Sequence, residues 1–278
     1  AAANGHLRML RFLRCGSAFD RIPAGVLVKA AENGHLDVVR WVIERHGIEC
    51  TTEAIDAAAE NNHLEVVKWL HENRTEGCTS GAMDCAAKSG HIEMVQWLHA
   101  HRTEGCTKNA MAAAAGFGHL DVVKWLHEHT TVGCTTLAMD AAAAMGHLHV
   151  VKWLHHNRSE GCTNDAMDFA AESGHLNVIK WLHENRSEGC TEAAMDLAAE
   201  GGKLDVVKFL HRHRSEGCTQ DAMIGAAAGD HIRVMEWLHA NRPGDCSAAA
   251  IDNAALHGAF EATMFLHLVR NERMSQEA

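Results

Sequence analysis

The chain has 278 residues, 47% of them hydrophobic, and a formal net charge of −11 at pH 7. That balance argues against binding nucleic-acid phosphates, which rests on clustered Lys and Arg, and favours a basic partner. No apolar run reaches the roughly 18 residues of a membrane span, and no signal peptide is visible.

Taken in order, the first stretch, residues 1–21, is a partial unit. It opens at Ala1-Ala2-Ala3-Asn4-Gly5-His6, inside a repeat and without Met, so the sequence reads as a fragment whose upstream targeting information is missing. A helix is expected over Leu7 to Arg14. The junction Cys15 to Arg21 carries one extra residue relative to later units, and Pro23 stands where they have Thr, a first-turn position that tolerates Pro.

A regular frame then begins. His35, His63, His91, His119, His147, His175, Lys203 and His231 follow at steps of 28 residues. A period of this kind signals stacked units, each packing only on its neighbours. The expected organisation is one array over 1–278, with regular repeats at 22–245, a capping repeat at 246–273 and a tail at 274–278.

The unit from Cys78 to Gly105 shows the logic. Thr79 reads as a helix N-cap. Ala82, Met83, Ala86 and Ala87 give an apolar face at helical spacing. Gly90 ends this helix as a left-handed residue past the cap. A second helix runs from Ile92 to His101, with Ile92, Val95 and Leu98 inward and Glu93 and Gln96 outward. Arg102-Thr103-Glu104-Gly105 is the turn to the next unit. Helices near ten residues are too short to be stable alone, so stacking must hold them. In the last unit Pro243-Gly244 breaks the entry turn, Ala259 replaces the His, and Thr263 enters the Val-Val pair. A more polar outer face is expected there, as suits a cap.

Eight of the ten cysteines share one repeat position: Cys50, Cys78, Cys106, Cys134, Cys162, Cys190, Cys218 and Cys246. Packed helices lie ~8–10 Å apart, whereas disulfide Cα atoms lie within about 7 Å. One Cys per rung therefore predicts buried thiols and a reducing compartment.

Three ladders invite functional readings. His pairs such as His91/His99 are eight residues apart, ~12 Å along a helix, too far for one zinc ion; no metal or other cofactor is expected. A Cys–His nucleophile copied eight times reads as a packing rule, so the chain is expected not to be an enzyme, with a metal-binding or hydrolytic protein as the weak alternative. Trp41, Trp69, Trp97, Trp125, Trp153, Trp181 and Trp237 read as core. The glycan-acceptor patterns at Asn73, Asn157 and Asn185 share one turn position and read as turn chemistry.

The run Ala58-Ala59-Glu60-Asn61-Asn62-His63-Leu64-Glu65-Val66-Val67-Lys68-Trp69-Leu70 closely resembles the ankyrin repeat, and near-matches fill the whole chain. Two departures stand out. Gly81-Ala82-Met83-Asp84 replaces the family's Thr-Pro-Leu-His, and the unit has 28 residues rather than the usual 33. The missing residues belong to the family's projecting finger loop. The resemblance implies an all-α ankyrin-like solenoid of about ten helix-turn-helix repeats with little or no strand. It also implies non-enzymatic binding of a partner protein along a concave groove; the alternative is a structural or assembly module of a larger complex.

In the family, the two residues between Ala-Ala and Gly-His lie on the binding face. With the first-helix positions that vary along this chain, they give the candidate partner-binding residues Lys88, Asn109, Phe117, Leu137, Asp140, Met145, Asp168, Phe169, Glu172, Asp196 and Glu200. Phe117 and Met145 hold the same position in successive units and are expected to be neighbours. The expected occupant is a basic, partly apolar protein segment, not nucleic acid or membrane. The chain itself is expected to be a monomer or part of a larger complex, in the cytoplasm, with secretion left open by the missing N-terminus.

Overall fold

The structure, a computed structural model, describes residues 1–15, 23, 25–46, 50–242 and 249–269. The junction after Cys15, the Pro243-Gly244 turn, Cys246 and the 274–278 tail lie outside the described residues. The chain divides into two compact units, Ala1–Cys134 and Thr135–Ala278.

In the first unit a 3-10 turn at Ala2–Asn4 and α1 (Leu7–Cys15) precede four helix pairs. These are α2 (Gly25–Glu32) with α3 (Leu36–His46), α4 (Thr52–Glu60) with α5 (Leu64–Asn73), α6 (Ser80–Lys88) with α7 (Ile92–His101), and α8 (Lys108–Gly116) with α9 (Leu120–His129). The second unit has five pairs. They are α10 (Leu137–Ala144) with α11 (Leu148–Asn157), α12 (Asp165–Ser173) with α13 (Leu176–Asn185), α14 (Ala193–Glu200) with α15 (Leu204–His213), α16 (Asp221–Ala228) with α17 (Ile232–Asn241), and α18 (Ala249–Leu256) with α19 (Phe260–Leu268). No strand occurs among the described residues, as expected for repeats without a finger.

Within each unit the first helices of the pairs stack closely on one another, while the second helices touch far less. Side-chain size explains the difference. The stacked faces are mostly Ala with one larger apolar residue per helix, Met in most and Leu27, Ile55 or Ile251 in the rest, as in Ala82, Met83, Ala86 and Ala87, all buried, and small residues let helix axes approach. Second helices bury Val, Ile, Met and Leu inward, as in Met94, Val95 and Leu98, and set a large aromatic ring against the preceding repeat. Trp69 is buried and Trp97, Trp125 and Trp181 are half-buried. Each of these last three receives the edge of a His ring from the preceding repeat, with centroids 5.1–5.3 Å apart for His71–Trp97, His99–Trp125 and His155–Trp181. The aromatic ladder is thus packing between repeats.

Polar groups join the rungs at three places. Thr79 caps α6, its hydroxyl accepting from the Gly81 N–H at 3.0 Å. The same Thr donates back to the preceding repeat: its N–H to Asp56 Oδ1 at 2.9 Å and its hydroxyl to Asp56 Oδ2 at 2.7 Å. Thr107 does the same to Asp84. In the turns, Arg102 pairs with Glu104 and also donates to His71 Nδ1 at 3.2 Å. Glu104 accepts from the Cys78 N–H at 3.3 Å. The Arg102 hydrogen bond holds the Glu104 carboxyl down at about 2. Arg186 repeats the arrangement with Glu188 and with His155 Nδ1 at 3.3 Å. The third device is the ring of the Gly-His pair, which lies on the preceding repeat. His35 Nε2 is 3.0 Å from the Ala3 carbonyl and His91 Nε2 is 3.1 Å from the Glu60 carbonyl, which gives helix-end carbonyls a partner.

Seven of the eight in-phase cysteines are described, together with Cys85, and none forms a disulfide. Burial, with a neighbouring Glu adding to it, pushes the thiols of Cys50, Cys78, Cys162 and Cys190 up to about 11. They behave as small apolar fillers. The Asn side chains of the glycan-acceptor patterns are engaged at helix ends: Asn73, Asn157 and Asn185 each donate to a Trp carbonyl at 2.8 Å.

The last repeat corrects an expectation. Its outer face is not more polar: Leu256, Phe260, Met264, Leu268 and Val269 are exposed. Met264 and Leu268 stand where the preceding repeat has solvent-facing Glu236 and Ala240.

Candidate functional site

The first helices leave one edge uncovered after their Ala/Met face is stacked. In the first unit this edge carries Lys88 at the end of α6, and Asn109 and Phe117 at the two ends of α8, all exposed. Asn109 donates its backbone N–H to the Thr107 hydroxyl at 3.1 Å, so its side chain is left to solvent. Phe117 is 53% exposed, and Lys88 Nζ sits 5.5 Å from its ring centroid. The two side chains thus form one cation–π pair on the surface.

In the second unit Leu137, Met145, Phe169, Glu172 and Glu200 are exposed on the corresponding edge. Four of these five line a single open depression of about 550 Å³, formed by Ala144, Met145, Phe169, Glu172, Ser173, Leu197, Glu200 and Gly201. Leu137 stands outside it. Side-chain size explains the depression. One repeat position reads Met145, Ser173, Gly201 and Gly229 in turn, so the wall falls away after Met145. Gly201 has an ordinary negative φ, yet a Cβ there would lie 2.7 Å from the Glu172 carbonyl oxygen. Close helix approach therefore keeps that position empty. Leu197, absent from the candidates, adds an apolar side to the depression; its repeat position varies along the chain, and that variability was its only trace in the sequence.

Three candidates are corrected. Asp140 and Asp168 are buried, and Asp196 is half-buried. Each accepts the N–H and the hydroxyl of the Thr that opens the next repeat: Thr163 on Asp140, Thr191 on Asp168 and Thr219 on Asp196, with N–H distances of 2.8, 2.9 and 2.9 Å. Burial raises these carboxyls above their ordinary range, against the lowering effect of the Thr hydrogen bonds. They are rungs between repeats rather than an acidic rim. The physical reason is position: they face the capped N-terminus of the following first helix, whose orphan N–H groups need acceptors.

Among the described residues no three His, Cys, Asp or Glu side chains are grouped so as to hold a metal ion, and no helix is long and apolar enough to cross a membrane. The first unit thus offers an exposed ring with a cation beside it, and the second offers exposed apolar groups beside exposed carboxylates.

Two family models match the chain. One, described as ankyrin repeats in many copies, matches residues 27–71 and 55–99; the other, described as ankyrin repeats in three copies, matches residues 82–168 and 111–196. No curated protein matches.

Proposed function

The chain belongs to the ankyrin repeat family, whose repeats are generally protein–protein interaction modules, and on that premise we propose that it is a non-enzymatic scaffold binding another protein through the exposed edge of its first helices. The observation that carries this reading is the exposure of Phe117, Leu137, Met145 and Phe169 on helices whose Ala/Met face is fully buried. Large apolar groups left in water beside charged ones are how interaction sites commonly look. The residues assigned to contact are Lys88, Asn109 and Phe117 in the first unit, and Leu137, Met145, Phe169, Glu172 and Glu200 in the second. The overall charge of −11 and the two glutamates favour a basic, partly apolar partner segment.

Two variants test this, Phe117→Ala in the first unit and Met145→Ala with Phe169→Ala in the second. Hot-spot side chains cost roughly 2 kcal/mol or more when truncated. Affinity capture of a partner identified with the native chain should fall sharply in at least one variant, with helicity and melting temperature nearly unchanged. Lys152→Ala, exposed on a second helix, serves as control. Capture by both variants at the native level rejects the assignment.

A second reading, a role in assembly, is favoured by the exposed Phe260, Met264 and Leu268 of α19. It requires oligomers that grow with concentration in the absence of a partner and vanish in Met264→Lys. A monomer at all concentrations removes it.

A further inference from the structure

The depression of the second unit sets its charges in register. Glu172 and Glu200 hold one repeat position on the adjacent helices α12 and α14, which pack directly on each other. Packed helix axes lie ~8–10 Å apart, so equivalent positions repeat at about that spacing. Neither carboxylate has an ion-pair partner among the described residues. By contrast, the turn glutamates Glu188 and Glu216 of the same unit are paired with Arg186 and Arg214. The apolar groups Met145, Phe169 and Leu197 line the same depression beside the two open carboxylates, with Ser173 and Gly201 keeping its floor low.

A polyproline II chain rises ~3.1 Å per residue with three residues per turn. It therefore returns a side chain to the same face every ~9.3 Å, at i and i+3. That interval matches the repeat spacing of the carboxylates. An α-helix needs about six residues for the same advance, and a β-strand turns i and i+3 to opposite faces. From this match, and resting on the interaction reading above, we infer that the depression takes an extended polyproline II segment with basic residues at i and i+3. A bulky apolar residue between them occupies the space beside Met145, Phe169 and Leu197. Charge supplies the register, and the apolar residue gains from leaving water.

The probe is a labelled synthetic peptide containing Arg-Leu-Pro-Arg between Gly-Ser flanks, measured by fluorescence anisotropy against the full chain. Companion peptides carry the same residues with the two Arg adjacent, with the two Arg six apart, or with Ala for Leu. The i, i+3 peptide should bind at least about tenfold more tightly than each companion. Glu172→Gln with Glu200→Gln should remove that preference, and Glu172→Lys with Glu200→Lys should transfer it to a peptide with Glu at i and i+3. Equal binding of all the Arg peptides, or none by any, overturns the inference. If the spacing preference is absent while Met145→Ala with Phe169→Ala still abolishes partner capture, the register is wrong and the interaction reading stands. If the peptide shows its spacing preference while that double variant keeps full partner capture, the register stands and the captured partner binds elsewhere.

Discussion

Gly90→Ala should destabilise the first unit by about 2–5 kcal/mol. A non-glycine residue in the left-handed region costs roughly 1–2 kcal/mol, and Gly90 has φ +75°. Overpacking adds typically about 1–3 kcal/mol, and an added Cβ would stand 2.5 Å from Nδ1 of the His119 ring. Non-glycine residues stand in this slot twice: Asn62 with φ 61°, ahead of the His91 ring, and Asp230. Asp230 fills the same slot with φ 56°, and the following repeat has Ala259 in place of the ring. The Asp230 carboxylate accepts from the Ala262 N–H at 2.7 Å. Gly90→Ala with His119→Ala should therefore cost less than the two single changes together, by about 1 kcal/mol or more, as expected for residues in contact. Denaturant midpoints followed by circular dichroism measure this. Strictly additive losses would show that the new methyl and the ring never meet.

Acidification from pH 7.5 to 5.5 should lower the melting temperature by several degrees. Burial, with cationic neighbours adding to it, lowers the imidazoles of His155 and His175 below their ordinary 6.5, and burial also lowers His91 although its bond to the Glu60 carbonyl opposes the shift. A base lowered in the folded state binds fewer protons there than in the unfolded chain. Its contribution is full above about 6.5 and is lost as the pH falls through the folded value. Geometry points the same way at His155. Arg has only donors, so the His155 Nδ1 must accept from Arg186, and a proton there would set two cations in contact. The raised carboxyls of Asp140, Asp168 and Asp196 carry the opposite sign, favouring folding as they take up protons, and form a partial offset. Glu104, held at about 2, gives up its contribution only below its ordinary 4.5. Gln at positions 91, 155 and 175 should flatten the profile. A melting temperature that is level or rises over this range in the native chain rejects the account.

Much of this architecture was legible because a repeat forces its packing residues to agree. Thr79 as cap, Gly90 as the left-handed stop and the helix from Ile92 to His101 could all be placed from spacing alone, since each is set by contacts within one unit or with an identical neighbour. The same uniformity made the aromatic and thiol ladders read as filling rather than chemistry. Exposure of Phe117, Met145 and Phe169 was legible for the converse reason: their positions vary, and variation is permitted where no neighbour must be matched.

Other features depend on what stands across from a residue one repeat away. Asp168 and Glu172 are both acids on one helix, four residues apart, yet Asp168 faces the N–H and hydroxyl of Thr191 while Glu172 faces solvent. Composition and helical period do not separate those fates; the angle at which the next helix enters does. Likewise the depression beside Met145 exists because α12 and α14 approach until no atom fits at Gly201 beyond its Cα. The repeat, its helices and its buried face follow from the order of residues, because those depend on local geometry and hydrophobic period. Which acids bind a neighbour, which remain open to a partner and where the surface sinks follow only from the distance between stacked helices.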